Sequence, residues 1–274
     1  MSLGDRLQSI PKGVIYLILI ACIAIPLINP IGIPIKVSRE TQNVYDLVNA
    51  LKPGSVVVFG FDYTTGSAPE MEPQADALIR HLMQKQAKVV AISFFEQGPM
   101  MAEGVFARTG MSKLKYGTDY VNLGYRAGGQ AAIAAFGADI HKTFNVDFKG
   151  TPTGNLELMK NVKSAKDVAM IITIAPGTPG PEDYVRQIQS AYNSVLIAGV
   201  PAVAVTQVAP YVQANQLKGY LAGLPGAAEY EQLLKAPGRA SSGMDAQSLA
   251  HLLIIALIIL RNVSLVLTKR NKAA

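Results

Sequence analysis

Two long apolar segments, residues 13–35 and 246–267, bracket a stretch of about 205 residues that reads as a water-soluble domain. The first, GVIYLILIACIAIPLINPIGIPI, is 23 residues without a charge. At 1.5 Å per helical residue that length is enough to cross a hydrocarbon core of ~30 Å. The second runs SLAHLLIIALIIL, meets Arg261 and Asn262, and resumes as VSLVL. It spans only if Arg261 snorkels toward a headgroup layer or faces a protein partner. His251 lies within the same segment, where an ionisable group is costly unless it is near an interface or partnered. His251 and Arg261 are therefore the residues expected to contact membrane partners.

The formal charge of +6 suggests a nucleic-acid binder until its location is considered. Between Glu40 and Asp245 there are 17 basic and 18 acidic residues, whereas outside that span 8 basic residues accompany a single acid. The basicity belongs to the anchors, and a nucleic-acid reader would need it on the folded domain. Nucleic acid is thus excluded as the expected partner, and the lipid bilayer takes its place.

Topology follows from the same charges. Arg6 and Lys12 precede the first segment and Lys269, Arg270 and Lys272 follow the second, against Lys36, Arg39 and Arg239 on the inner flanks. The excess places both termini in the cytoplasm and the domain outside it, as a two-pass protein of the cell membrane. The first segment reads as an uncleaved anchor. It is longer than a signal-peptide apolar region of ~7–15 residues, and no A-x-A-like site follows it. Pro26, Pro30 and Pro34 should kink or end its helix near the outer end. The single cysteine, Cys22, lies in this segment, which removes thiolate metal sites and cysteine nucleophiles from the domain.

Between the anchors, residues 37–51 pattern as an amphipathic helix with Val44, Leu47, Val48 and Leu51 on one face. SVVVFGF from Ser55 then reads as a strand buried on both faces. Alternation continues with a helix at 70–86, a strand KVVAISF, a helix at 98–109, a strand YVNLGY and the Ala-rich helix GGQAAIAAFG. A strand DVAMIITIA, a helix at 181–195 and a fifth strand PAVAVTQ follow, with helices near 208–217 and 226–234. Such alternation is the signature of βαβ units, and the expected fold is a Rossmann-like α/β sandwich: a doubly wound parallel sheet of five strands or slightly more.

Ligands of such sheets sit beyond the carboxyl ends of the strands. The loop FDYTTGSAPEMEP after the first strand offers Asp62, Thr64, Thr65, Gly66 and Ser67 for a cation or a hydroxylated ligand. The competing reading makes Asp62 and Ser67 caps of the next helix. In GYRAGGQ, Arg126 with the amides of Gly128 and Gly129 could hold a carboxylate or phosphate at a helix start. Alternatively, the glycines serve close packing and Arg126 pairs with Asp62 or Glu96. The loop APGTPGPEDY has Gly177 and Gly180 ahead of Pro181, but Glu182 and Asp183 in the first helical turn would repel a phosphate and suit the dipole by themselves. It lacks G-x-G-x-x-G spacing and a Walker lysine, so no cofactor is expected. Neither His81 nor His141 has a partner at metal-ligand spacing, no metal site is expected, and no G-x-S-x-G elbow occurs.

The stretches FDYTTGSAPEMEP, GYRAGGQAA and GLPGAAEYEQLL, followed by a terminal spanning helix, resemble an uncharacterised group of prokaryotic two-pass membrane proteins with a Rossmann-like extracytoplasmic domain. The resemblance covers most of the chain and implies architecture without an activity. The expected function is that of a non-enzymatic binding or assembly subunit of a larger membrane complex, homo- or hetero-oligomeric. A membrane-bound hydrolase or transferase using Asp62, Ser67 and Arg126 is the alternative.

Overall fold

The computed structural model describes residues 11–273, with side chains to residue 266. It divides into two units: the chain from Ile35 to Ala236, and the segments up to Pro34 and from Pro237 onward.

In the central unit the β-branched and aromatic run after Ser55 forms β1 (Val56–Phe61), because its side chains find apolar cover on both faces. Alternate residues point opposite ways. Val57, Phe59 and Phe61 join one core cluster, and Val58 joins the other. Counting α1 (Lys12–Ile28) in the outer unit first, the helices and strands around β1 follow in chain order. They are α2 (Arg39–Asn49), α3 (Ala68–Gln84), β2 (Lys88–Ser93), α4 (Gly98–Thr109), β3 (Tyr120–Tyr125), α5 (Gly129–Ala138) and α6 (Ile140–Thr143). A stretch of single 3-10 turns leads to β4 (Met170–Ile174). Next come α7 (Pro181–Tyr184), a π-helical turn Val185–Gln189, α8 (Ser190–Tyr192), β5 (Leu196–Val200), α9 (Val205–Gln213), β6 (Tyr220–Ala222) and α10 (Gly223–Leu233).

All six strands are parallel, in the order β3-β2-β1-β4-β5-β6. This is the order of the dinucleotide-binding α/β folds, with the chain reversing direction between β1 and β4. Residues of α2, α3, α4 and α10 share the core on the face of Phe59. Residues of α5, α7 and α9 share the core on the face of Val58. The expected amphipathic helix is α2, with Val44 and Val48 fully buried and Leu47 and Leu51 packed beside them.

Two elements differ from the sequence reading. The fifth strand is Leu196–Val200, not PAVAVTQ. Pro201 has no amide to continue a ladder, and residues beyond it turn through a 3-10 turn into α9, where Val208 is buried. A sixth strand, Tyr220–Ala222, pairs with β5 in the stretch left unassigned between the helices expected near 208–217 and 226–234.

In the outer unit, α1 stops at Ile28, and Asn29 is extended. Its end falls between Pro26 and Pro30, as the prolines predict, so the helix is 17 residues long rather than reaching residue 35. The long helix α11 (Arg239–Ala273) packs along α1. Asp245, buried near its start, accepts the amides of Ile31, Gly32 and Ile33 at 2.7, 2.7 and 2.9 Å. Three donors on one carboxylate fasten the segment after α1 to the first turns of α11. Among the described residues α11 alone is long and apolar enough to cross a membrane, over Arg239–Val266.

Candidate functional site

The loops after β1, β3 and β4 follow strands of one parallel sheet and therefore share its carboxyl edge, with the chain reversal between β1 and β4 as the expected crevice. What occupies that position is Asp62. The alternation that sends Val58 to one face sends Gly60 and Asp62 the same way, and the absent side chain of Gly60 opens a space. Tyr184 enters it from α7. A Cβ on Gly60 would stand 2.6 Å from the Tyr184 Oη and 3.0 Å from Asp62 Oδ2.

The Asp62 carboxylate is 1% exposed. It accepts the Phe94 amide at 2.6 Å, the Tyr184 hydroxyl at 2.9 Å and, more weakly, the Ser93 hydroxyl at 3.3 Å. Ser93 has one proton, and the carbonyls of Phe95 and Phe61, at 2.7 and 2.8 Å, are nearer to its oxygen. Burial pushes the Asp62 carboxyl up to about 7, since the hydrogen bonds from Phe94, Tyr184 and Ser93 only partly offset desolvation and Asp183 adds repulsion. Burial also raises the Tyr184 phenol, reinforced by the charge of Asp62. The Tyr184 ring is fully buried and meets Phe94 edge to face, with centroids 6.0 Å apart. A ligand at this point would have to displace Tyr184.

The remaining predicted residues go elsewhere. Neither Asp62 nor Ser67 caps α3, correcting the capping expectation. Ser67 stands at the N-cap position without a capping bond, and its hydroxyl closes a turn with Thr64 O at 3.2 Å and Thr64 N at 3.3 Å. The cap is unneeded because Pro follows in the first turn and lacks a donor. Thr65 is exposed and donates its amide to Gln97 at 3.1 Å. Arg126 is exposed and forms no ion pair among the described residues, so its pairing with Asp62 or Glu96 is not made. Only its amide is engaged, to Ser93 O at 2.9 Å.

Gly128 and Gly129 take positive φ values, 128° and 52°, at the start of α5, a conformation glycine tolerates. Directly beside them Gln130 donates to Asp183 at 2.6 Å, placing a carboxylate where an anion would enter. Asp183 also accepts the Gly180 amide at 3.0 Å, so the acidic first turn of α7 caps its own helix. A small cleft lies at the same edge, lined by Ala175, Gly177, Gly180, Asp183, Val200 and Gln207.

The histidines of the domain are structural. His81 is buried, bonds to the Tyr230 hydroxyl at 2.8 Å and stacks on Tyr45, and burial lowers its pKa to about 4. His141 Nε2 lies 3.0 and 3.1 Å from the carbonyls of Met159 and Val162. His251 is exposed on α11. Among the described residues no three His, Cys, Asp or Glu side chains gather as metal ligands.

Sequence reasoning missed Tyr184 and Ser93 as partners of Asp62. The signal was there in part: Gly60, two residues before Asp62 on one strand face, marks a place where another group must approach.

No protein-family model and no curated protein matches the chain. Among solved structures it is similar to the trehalose-6-phosphate synthase OtsA, with 10% identity over 91% of this chain and 49% of that one, at a TM-score of 0.30. An E. coli structure, described as trehalose-6-phosphate bound with UDP-2-fluoro glucose, shows 11% identity over 87% and 48%, at a TM-score of 0.29. The chain spans about half the length of these proteins, and the fold assignment rests on its own strand order.

Proposed function

We propose that this protein is a membrane-tethered, non-enzymatic binding or assembly subunit. The central Rossmann-like domain is held outside the cytoplasm by α1 and α11, and both termini lie inside. One observation carries the reading. The apolar span of α11, 28 residues from Arg239 to Val266, is only 6% buried over its most apolar stretch, so apart from the side packed on α1 most of its apolar surface is left uncovered by the described residues. Outward apolar residues such as Leu252, Ile255 and Ile259 need lipid or partner helices around them. At 17 residues, α1 is short for a span and relies on packing against α11.

The filled crevice supports a role without catalysis. Asp62, Ser67 and Arg126, the residues a hydrolase or transferase would use, have separate engagements: Asp62 is sealed under Tyr184, Ser67 closes a local turn and Arg126 points outward.

The test is a native membrane extract resolved by size, with protease applied to intact spheroplasts in parallel. The reading expects the chain in an assembly heavier than its 29.2 kDa, with the domain cut from outside. A monomer released without detergent, or a domain protected while the termini are cut from outside, would overturn it.

A further inference from the structure

The face of α11 bearing Ile254, Leu257, Ile258, Arg261 and Asn262 lines an open groove. These positions are three, four, seven and eight residues apart, which stacks them as one stripe on a helix. Ile254 and Ile258 are about half exposed, at 49% and 55%. Arg261 and Asn262 are exposed, and the guanidinium has no ion pair among the described residues. One end of the groove is therefore apolar, and the other presents a free cation beside a carboxamide.

The depth of that cation follows from the helix pair. Asp245 fastens the start of α11 to the segment just beyond the end of α1, and the two helices pack along each other, so they run antiparallel from this junction. Arg261 lies about 16 residues further along, roughly 24 Å at 1.5 Å per residue. Lys12, at the far end of the 17-residue α1, is about the same distance away, roughly 25 Å. The two cations share one level. With the Asp245 junction taken at one headgroup boundary, as the tether reading has it, a hydrocarbon thickness of ~27–30 Å puts that level near the opposite boundary and not at the bilayer centre. Lys269, Arg270 and Lys272 follow in sequence.

We propose that this groove is a binding site for an anionic phospholipid of the cytoplasmic leaflet. The phosphodiester takes the guanidinium of Arg261 with Asn262 as a second donor, and an acyl chain lies on Leu257, Ile258 and Ile254. The direction is consistent: from Arg261 to Ile254 the groove runs toward the bilayer centre, as an acyl chain does. A guanidinium presents a planar fork of donors that matches phosphate oxygens two at a time. An anionic headgroup is favoured over a zwitterionic one because the latter brings its own cation to the same place. An acidic helix of a partner protein could also meet Arg261, but the boundary depth makes a carboxylate buried in hydrocarbon unnecessary. The site rests on the membrane-tether reading and specifies the lipid that reading needs.

The test uses the full chain in detergent micelles, with phosphatidylglycerol and phosphatidylcholine added in equal amounts and retained lipid counted by native mass spectrometry. Phosphatidylglycerol should be retained preferentially. Arg261→Gln should lower that preference about five-fold, the effect expected of one basic residue at an anionic surface, and Arg261→Lys should keep most of it. Ile258→Trp, which fills the groove, should reduce retention of both lipids. Equal retention of the two lipids by the native chain, or an unchanged preference in Arg261→Gln, would overturn the site. Displacement of phosphatidylglycerol by soluble glycerol phosphate would do so as well, since the groove would then play no part. So would an intact lipid preference in Arg261→Gln together with loss of a co-purifying subunit, which would assign Arg261 to a protein partner. Release of the chain from membranes by alkaline carbonate would instead refute the tether, a failure distinct from the lipid comparison in micelles.

Discussion

Replacing Asp62 by Asn removes the titrating group sealed beneath Tyr184 at the chain reversal of the sheet. The folded-state carboxyl sits at about 7 against 3.8 for a free group, raised chiefly by burial. A raised acid holds its proton in the native state after the unfolded chain has lost it. Stability is therefore greatest below the unfolded value, falls as pH rises from about 4 to 7, and levels off above that. Between pH 5 and pH 8 the native state gives up about two pH units of proton linkage, each near 1.4 kcal/mol, so Asp62 alone should lower stability by roughly 2–3 kcal/mol across that window. Asn does not titrate, its carbonyl can still accept the Phe94 amide, and its shape fits beneath Tyr184. His81, held near 4 by burial, works the other way over the same window, because the unfolded imidazole takes a proton that the native one refuses, so Asp62 is read from the difference between the two proteins. In urea midpoints of the full chain in detergent, read by pulse proteolysis, the stability of Asp62→Asn relative to the native protein should rise by roughly 2–3 kcal/mol from pH 5 to pH 8. Parallel pH profiles for the two proteins would refute the idea that Asp62 is sealed from water.

Tyr184→Phe deletes a hydrogen bond to a buried carboxylate and should destabilise by about 1.5–3 kcal/mol at pH 8, and less at pH 5 where the acid is neutral, checked by the same midpoints. Gly60→Ala forces a Cβ to within 2.6 Å of the Tyr184 hydroxyl and should cost about 1–3 kcal/mol, with Tyr184 becoming more accessible to acetylation or iodination. Asp245→Ala strips the acceptor from three amides and should lower the detergent melting temperature and open residues 29–34 to protease, while the central domain keeps its urea midpoint.

The parallel sheet was legible because its central strands are long unbroken apolar runs. Val56–Phe61 and Lys88–Ser93 lie within a residue or two of the expected segments. The fifth strand was displaced by five residues because LIAGV and PAVAVTQ are both small, β-branched and apolar. What separates them is that Pro201 cannot bond on in a ladder and that Val205, Val208 and Val212 recur at helical spacing. β6 has three residues, too few for any period to register. At the site, position along the sheet edge was readable, whereas partnership was not. Asp62 and Tyr184 are 122 residues apart, and only the fold brings the phenol to the carboxylate. The same applies to Asp245 and the amides over 200 residues before it. In both cases a charged residue that looked ordinary in sequence is defined by distant groups that local pattern does not reveal.

The Gly60–Tyr184 fit also carries an evolutionary consequence. A glycine that admits a phenol, a phenol that covers an acid and an acid that needs the phenol's proton form a set whose members lose their value singly. Drift at position 60 would expel the aromatic ring, and drift at position 184 would leave a void lined by a carboxyl group. Sister sequences should therefore change these three positions together, and any lineage that reopened the crevice to a ligand should be recognisable by a small residue replacing Tyr184 while the acid is kept.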